Sequence, residues 1–298
     1  MSLLLALLLD AALGEPKWLW DRLTHPAILI GRLIGWADAR YNQGQHRRAK
    51  GILLALALVI GASLTGSIIA AFGTLPEAIA AAILLAQKSL IDHVRAVAEA
   101  LRRSTAEGRA AVAMIVGRDT AGMDDPAIAR AAIESAAENF SDGITAPVFW
   151  FLLGGLPGML VYKAINTADS MVGYRTPQHE AFGWASARLD DLMNLIPARL
   201  TALMILLAAR HKPDWQALIR DAGLHRSPNA GWPEAAISRA LGIALSGPRS
   251  YHGEMRDFPW VSPTGRKAAT AEDIDRAIRL IWHAWALLLI PALALTLF

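Results

Sequence analysis

Apolar residues fall in long blocks, not in the short alternating runs of a sheet protein. Residues 52–72 carry no charge, and a helix needs about 20 such residues to cross a bilayer. A Thr74-Leu75-Pro76-Glu77 turn follows, then a second apolar block over 78–91 with Lys88 near its end. Together they predict a helical hairpin. A third block, 280–298, closes the chain, with His283 at its start as an interfacial or capping residue. The block 144–165 is interrupted by Gly154-Gly155-Leu156-Pro157-Gly158, and glycine and proline at that density stop a helix. Two short helices meeting at a turn are expected there, re-entrant or spanning. Residues 192–209 contain Pro197 and Arg199 and read either as a span or as a buried or interfacial helix. Residues 2–13 are apolar except for Asp10, and no lysine or arginine precedes them. This favours a retained helix over a cleaved signal peptide.

Four polar segments separate these blocks: 14–50, 92–143, 166–191 and 210–279. Segment 14–50 holds seven lysines and arginines, 92–143 holds six and 210–279 holds eleven, whereas the 74–77 turn has none. Positive charge stays on the cytoplasmic side, so the turn is expected outside and the polar segments inside. The side of 166–191 depends on whether 144–165 spans. Within 92–143 the pattern reads helix, turn, helix, the second helix starting at Asp124-Asp125-Pro126 with proline at a favoured early position. Residues 111–116 read equally as a short strand or a buried helical turn. Residues 224–234 and 246–265, rich in Pro, Gly, Ser and Asn, read as loops. The expectation is a mainly α, polytopic integral membrane protein whose membrane helices and cytoplasmic segments form one unit over 1–298, in a bacterial inner membrane.

Composition narrows the function. Of 298 residues, 54% are hydrophobic and 18% charged, against about 25% charged in a soluble domain. The mean hydropathy of +0.33 excludes a disordered chain and disfavours a purely soluble one, yet is low for a bare transporter. A net charge of +3 is too small and dispersed to argue for nucleic acid. With no cysteine there is no disulfide, thiolate nucleophile or cysteine-ligated metal.

Three groups of polar residues can carry chemistry. Glu134, Glu138 and Asp142 stand at i, i+4 and i+8, drifting only about 40° per step on a helix, so three carboxylates share one face. They suit Mg²⁺, which prefers oxygen ligands, or else form a solvated face. In the second group, Lys163, Asn166, Thr167 and Ser170 share a helix face, with Asp169 adjacent and Arg175 beyond. Such polarity in an apolar stretch is costly unless paired or used. It reads as a phosphate or carboxylate clamp, or as a structural hydrogen-bond network. Arg188, Asp190, Asp191 and Asn194 follow. Adjacent acids cannot share a helix face, so one is expected to point to the site and the other to Arg188 or Arg199. The third group is made of loop signals: Arg118-Asp119-Thr120, a loop or helix cap, and the stretch 225–234 with Ser227 and Asn229, which can cradle an anion. Neither a P-loop nor a dinucleotide-binding glycine motif is present.

The stretches DAALGEP (10–16), HP (25–26), KSL (88–90), GRDT (117–120), ESAAENFSDGITAP (134–147), YKAINTADSMVGYR (162–175), FGWASARLDDLMNLIPARL (182–200), SPNAGWPEA (227–235) and GPRSYHG (247–253) occur in order along the chain. In this series the chain resembles the adenosylcobinamide-phosphate synthases, the CobD/CbiB family of cobalamin biosynthesis. Glu15 departs from the aspartate expected there and keeps the charge. The resemblance implies a ligase that joins adenosylcobyric acid to (R)-1-aminopropan-2-ol O-phosphate, or to aminopropanol, with ATP as co-substrate and Mg²⁺ as cofactor. Other pathway enzymes are possible partners. On that footing Glu134, Glu138 and Asp142 are expected to hold Mg²⁺. Lys163 and Arg118 are expected to contact phosphates, with Lys163, Asp169 and Asp190 as catalytic residues. Asp119, Asn166, Thr167, Ser170, Arg175, Arg188, Ser227 and Asn229 are expected to bind substrate. Trp232 and Tyr251 either pack on the corrinoid or pack locally. The rival classes are a non-enzymatic scaffold for pathway enzymes and a corrinoid or small-molecule transporter. A transporter predicts related halves, and no inverted repeat is found.

Overall fold

The computed structural model describes residues 1–296 apart from 211, 213 and 252, and leaves out the side chain of Lys17. The last two positions of the 280–298 block, and His252 in the 247–253 stretch, lie outside the described residues. In chain order the elements are α1 (Ser2–Leu13), α2 (Lys17–Trp20), α3 (Pro26–Tyr41), α4 (Arg47–Ala71), α5 (Thr74–Leu84), α6 (Gln87–Arg103), α7 (Thr105–Val112), α8 (Asp125–Phe140), a π turn (Ser141–Thr145), α9 (Ala146–Val172), α10 (Trp184–Met193), α11 (Leu195–Ala208), α12 (Trp215–Ala222), α13 (Gly231–Leu241), β1 (Leu245–Ser246), β2 (Arg249–Tyr251), β3 (Glu254–Arg256), β4 (Trp260–Val261) and α14 (Ala271–Ala294).

Four helical stretches are long and apolar enough to cross a membrane: Arg47–Ala71, Thr74–Arg103, Asp125–Val172 and Ala271–Ala294. The pair α10 and α11, bent by 41°, makes a fifth if it counts as one span. The protein is a mainly α, multi-pass membrane protein, as the apolar blocks predict. The interruption expected inside 144–165 is present. Gly154 and Gly155 leave helical geometry, and Gly155 takes φ 61°, a conformation open to glycine and costly for other residues. At Gly66 of α4, a Cβ would stand 2.6 Å from Pro157 Cα. The missing side chain lets α4 pack directly on the break in α9, the small-residue contact that membrane helices use.

The turn and loop expectations need three corrections. Residues 74–77, expected as a turn, form the first turn of α5, and the chain reverses at Phe72 and Gly73 instead. Residues 246–265 contain short antiparallel pairs, β2 with β3 (Arg249 opposite Arg256) and β1 with β4 (Leu245 opposite Val261). Residues 224–234 end inside a helix, because α13 begins at Gly231. In 111–116, helix α7 runs to Val112 and turns follow.

The chain divides into two compact units that interleave in sequence. The first comprises Met1–Lys88, Asp142–Leu195 and the residues from Pro291 onward; the second comprises Ser89–Ser141 and Ile196–Ile290. In the first, α9 is the central element, and Tyr162, Ile165 and Val172 share a core with Ile34 and Phe182. In the second, α8 is buried along most of its length and packs on α7, α13 and β1.

Candidate functional site

Helix α8 organises the polar centre of the second unit. Its start is set by Asp124, whose Oδ1 accepts from Ala127 N–H at 2.9 Å, with Pro126 in the first turn. The cap that Asp119 or Thr120 was expected to offer therefore belongs to Asp124. Asp119 instead pins the β2–β3 hairpin. Its Oδ2 accepts from Ser250 Oγ at 2.8 Å and from Gly253 N–H at 2.7 Å, and its own N–H donates to Ser250 O.

Glu134, only 3% exposed, accepts from three donors. Ser246 N–H reaches Oε1 at 2.7 Å, and Arg118 Nη2 and Arg249 Nη1 reach Oε2 at 2.6 and 3.1 Å. Two guanidinium groups on one carboxylate leave a formal charge of +1 in a buried place. Burial works against the Arg118 charge, but the charge of Glu134 and its hydrogen bond outweigh it and hold the Arg118 pKa above its ordinary value.

One turn along, Glu138 faces α13. His225 Nε2 lies 3.7 Å from Glu138 Oε1 and 3.8 Å from Glu234 Oε1. Ser227 N–H donates to His225 Nδ1 at 3.0 Å, so the ring proton sits on Nε2, toward the acids. Ser227 Oγ accepts from Asn229 N–H and Ala230 N–H, which shapes the turn into α13. Asn229 is buried and accepts from Arg199 at 3.4 Å, while Arg199 also covers the face of Trp232 at 4.6 Å. Trp232 thus packs locally. Glu234 is 1% exposed, and its Oε2 has no hydrogen-bond partner among the described residues. Burial, and then the charges of Glu138 and Glu134, push its carboxyl well above the usual range.

Two cavities flank the Glu134 cluster. One, of about 960 Å³, is lined by Asp119, Asp124, Arg130 and Ser250. The other, of about 210 Å³, is lined by Glu138, Asn139, His225, Arg226, Glu234 and Tyr251. Arg118, Glu134 and Arg249 line both and so form the wall between them.

The first unit holds a second polar cluster, built on α9. Asp190 accepts from two neutral amides, Asn166 Nδ2 on Oδ1 and Asn194 Nδ2 on Oδ2, each at 3.1 Å. The fully buried Tyr162 hydroxyl lies 3.0 Å from Asn194 Oδ1 and 3.1 Å from Asp142 O; both accept, so its single proton serves one at a time. Asp191 pairs with Arg188 at 3.6 Å, which splits the adjacent acids as their helical spacing requires. Lys163 feels the charges of Asp142, Glu15 and Asp10. Asp10 is buried and accepts from Gln87 N–H at 2.9 Å. Thr167 and Ser170 donate to the Lys163 and Asn166 carbonyls of their own helix. Asp169 O accepts from Gly173 N–H, and Arg175 is exposed.

Of the three acids expected on one face, Glu134 and Glu138 line the small cavity together and Asp142 does not. Glu134 is saturated by arginines and a backbone amide, Glu138 faces His225 and Glu234, and Asp142 belongs to the first unit. The physical reason is the π turn at Ser141–Thr145, which breaks the α register on which the i, i+8 spacing depends. Sequence reasoning missed Arg249, Glu234 and the tautomer-fixed His225 as site residues. Glu234 and His225 lay in a stretch read only as an anion cradle. Arg249 had no local signal beyond its glycine- and proline-rich setting.

The family profile described as CobD/Cbib protein matches residues 3–281. The cobalamin biosynthesis protein CobD of Rhizobium meliloti is 49% identical over 95% of this chain and 93% of its own length. The protein of the same name from Brucella suis is 48% identical and that from Rhodobacter capsulatus 47%, with the same coverage. No solved structure matches the chain significantly. Profile and relatives both cover nearly the whole chain, including the arginine–carboxylate wall and the α9 cluster, and the chain belongs to the CobD/CbiB family of cobalamin biosynthesis.

Proposed function

We propose that the protein is an ATP- and Mg²⁺-dependent amide ligase joining adenosylcobyric acid to (R)-1-aminopropan-2-ol O-phosphate, or to aminopropanol, to give adenosylcobinamide phosphate or adenosylcobinamide. The observation that carries this reading is the wall of Arg118 and Arg249, held on Glu134, between a large cavity and a small acid-lined one.

A carboxylate and an ammonium form a salt in water, not an amide. The carboxyl must first be activated, most simply as an acyl phosphate. A carboxylate oxygen bonds to phosphorus and a nucleotide leaves; the ammonium gives up one proton to expose its lone pair, the amine nitrogen attacks the acyl carbon, phosphate leaves, and a second proton is lost from nitrogen. Both steps move negative charge onto phosphate oxygens, which fixed guanidinium groups stabilise without reorganising. Arg118 and Arg249 suit that task because Glu134 fixes their geometry while leaving a net positive charge. Glu138, partly exposed in the small cavity, offers a carboxylate that an incoming cation can reach.

Mg²⁺ when bound neutralises phosphate charge. The residues fit a hard cation, since carboxylates line the small cavity and the buried Glu234 Oε2 has no hydrogen-bond donor among the described residues. Glu134, already engaged by three donors, is the weaker candidate ligand beside Glu138 and Glu234. In the first unit, Lys163 is a phosphate contact and Asp190, held by two amides, a base or substrate-orienting group, with Asp169 beside it. We assign the protein to the bacterial inner membrane with its site on the cytoplasmic side, since lysine and arginine concentrate in the polar segments and are absent where α4 gives way to α5.

The test is purified protein in detergent or vesicles, given adenosylcobyric acid, the amine, ATP and Mg²⁺. ATP-dependent appearance of the amide is expected. Corrinoid counterflow without amide formation, or neither, would overturn the ligase in favour of a carrier or a scaffold.

A further inference from the structure

The small cavity contains an arrangement that the carboxylate spacing along α8 does not suggest. One oxygen each of Glu138 and Glu234, and a ring nitrogen of His225, all lie within 4.8 Å of one another. Octahedral Mg²⁺ spaces its oxygen ligands about 2.9 to 4.2 Å apart, a range that the spread of this cluster overlaps. An acid cluster alone is no site. Here, though, Glu234 is 1% exposed, lines the cavity, and has an Oε2 with no hydrogen-bond donor among the described residues. A buried carboxylate oxygen that meets no donor is costly to keep ionised, and a cation beside it would lower that cost.

The chemistry of His225 decides which cation. Its Nδ1 lone pair is taken by Ser227 N–H, so Nε2 carries the proton and has no lone pair to offer a metal. Ser227 is held in turn by the turn into α13, where its Oγ accepts from Asn229 and Ala230. Nε2–H points at both acids at 3.7 and 3.8 Å, slightly beyond hydrogen-bond length and within reach of a small closure. His225 is therefore a donor that orients the carboxylates. With imidazole excluded, an all-oxygen donor set remains, which favours Mg²⁺ or Mn²⁺ over zinc.

We propose that Glu138 and Glu234 bind one hard divalent cation through carboxylate oxygens, with His225 as a positioning residue and not a ligand. The ion's role in amide formation rests on the ligase reading; its binding does not.

The experiment is Mn²⁺ binding to the purified full chain, followed by electron paramagnetic resonance without substrates. One Mn²⁺ per chain, displaced by Mg²⁺, is expected. Glu234→Gln, close to isosteric, and Glu138→Gln, at a half-exposed position that tolerates change, should each weaken binding at least about 10-fold. Pulsed measurements on the wild-type complex should show no directly bonded nitrogen. Absence of Mn²⁺ binding in the wild type, unchanged affinity in both variants, or a bonded-nitrogen coupling that vanishes in His225→Gln would each overturn the proposal. Amide synthesis by a protein that binds no Mn²⁺ would sink this inference alone, and Mn²⁺ binding without amide synthesis would sink the ligase reading alone.

Discussion

The two polar clusters hold their central carboxylates in opposite ways. In the second unit, Glu134 is gripped by two arginines drawn from 16 and 115 residues away in sequence. In the first unit, Asp190 is held by two neutral amides, one of them a single helical turn away. An ionic grip fixes the arginine positions and leaves surplus positive charge facing two cavities, which suits phosphate. An amide grip fixes a carboxylate while leaving its charge in place, which suits a group that must attract an ammonium or take a proton. The contrast is therefore in the charge each grip leaves: positive around α8, negative on α9.

The sharpest way to break the comparison is Glu134→Gln. Removing the carboxylate strands two buried guanidinium groups, and loss of one partner of a buried ion pair costs about 3–5 kcal/mol. Thermal unfolding in detergent should fall by many degrees, or the variant should fail to accumulate; a midpoint within a degree or two of wild type would show that the grip is not ionic. The matching change in the other cluster, Asn194→Leu, should cost less, about 1–3 kcal/mol, because it leaves Asp190 with one amide and Tyr162 with one acceptor. If Asn194→Leu were the more destabilising of the two, the ranking of ionic over amide grip would be reversed.

These clusters also mark how far the sequence reading reaches. Residues 52–72 and 78–91, and the glycine–proline break near 154–158, were legible because bilayer length and glycine conformation act locally. The inward and outward roles of Asp190 and Asp191 were legible because helical spacing forbids a shared face. Asp142 leaves the face that Glu134 and Glu138 share because the helix widens into a π turn at Ser141–Thr145. Nothing in an isolated sequence announces such a turn. Arg249 and Glu234 lie in the family stretches 247–253 and 227–235, yet nothing there singled them out. Their partners lie 115 residues away in one case and across a loop–helix junction in the other, and pairing at that range is decided by packing. The short strands in 246–265 were hidden by the same glycines and prolines that suggested a loop.

The central claim is that amide formation is carried by the acid-lined cavity beside α8. Its most direct test is Glu138→Gln assayed for adenosylcobinamide phosphate formation across a Mg²⁺ titration, with thermal unfolding measured in parallel. We expect a rate at least about 100-fold below wild type at saturating substrates, a weakened Mg²⁺ response and little change in the unfolding midpoint, since Glu138 is partly exposed. Wild-type turnover with a wild-type Mg²⁺ dependence would contradict the account.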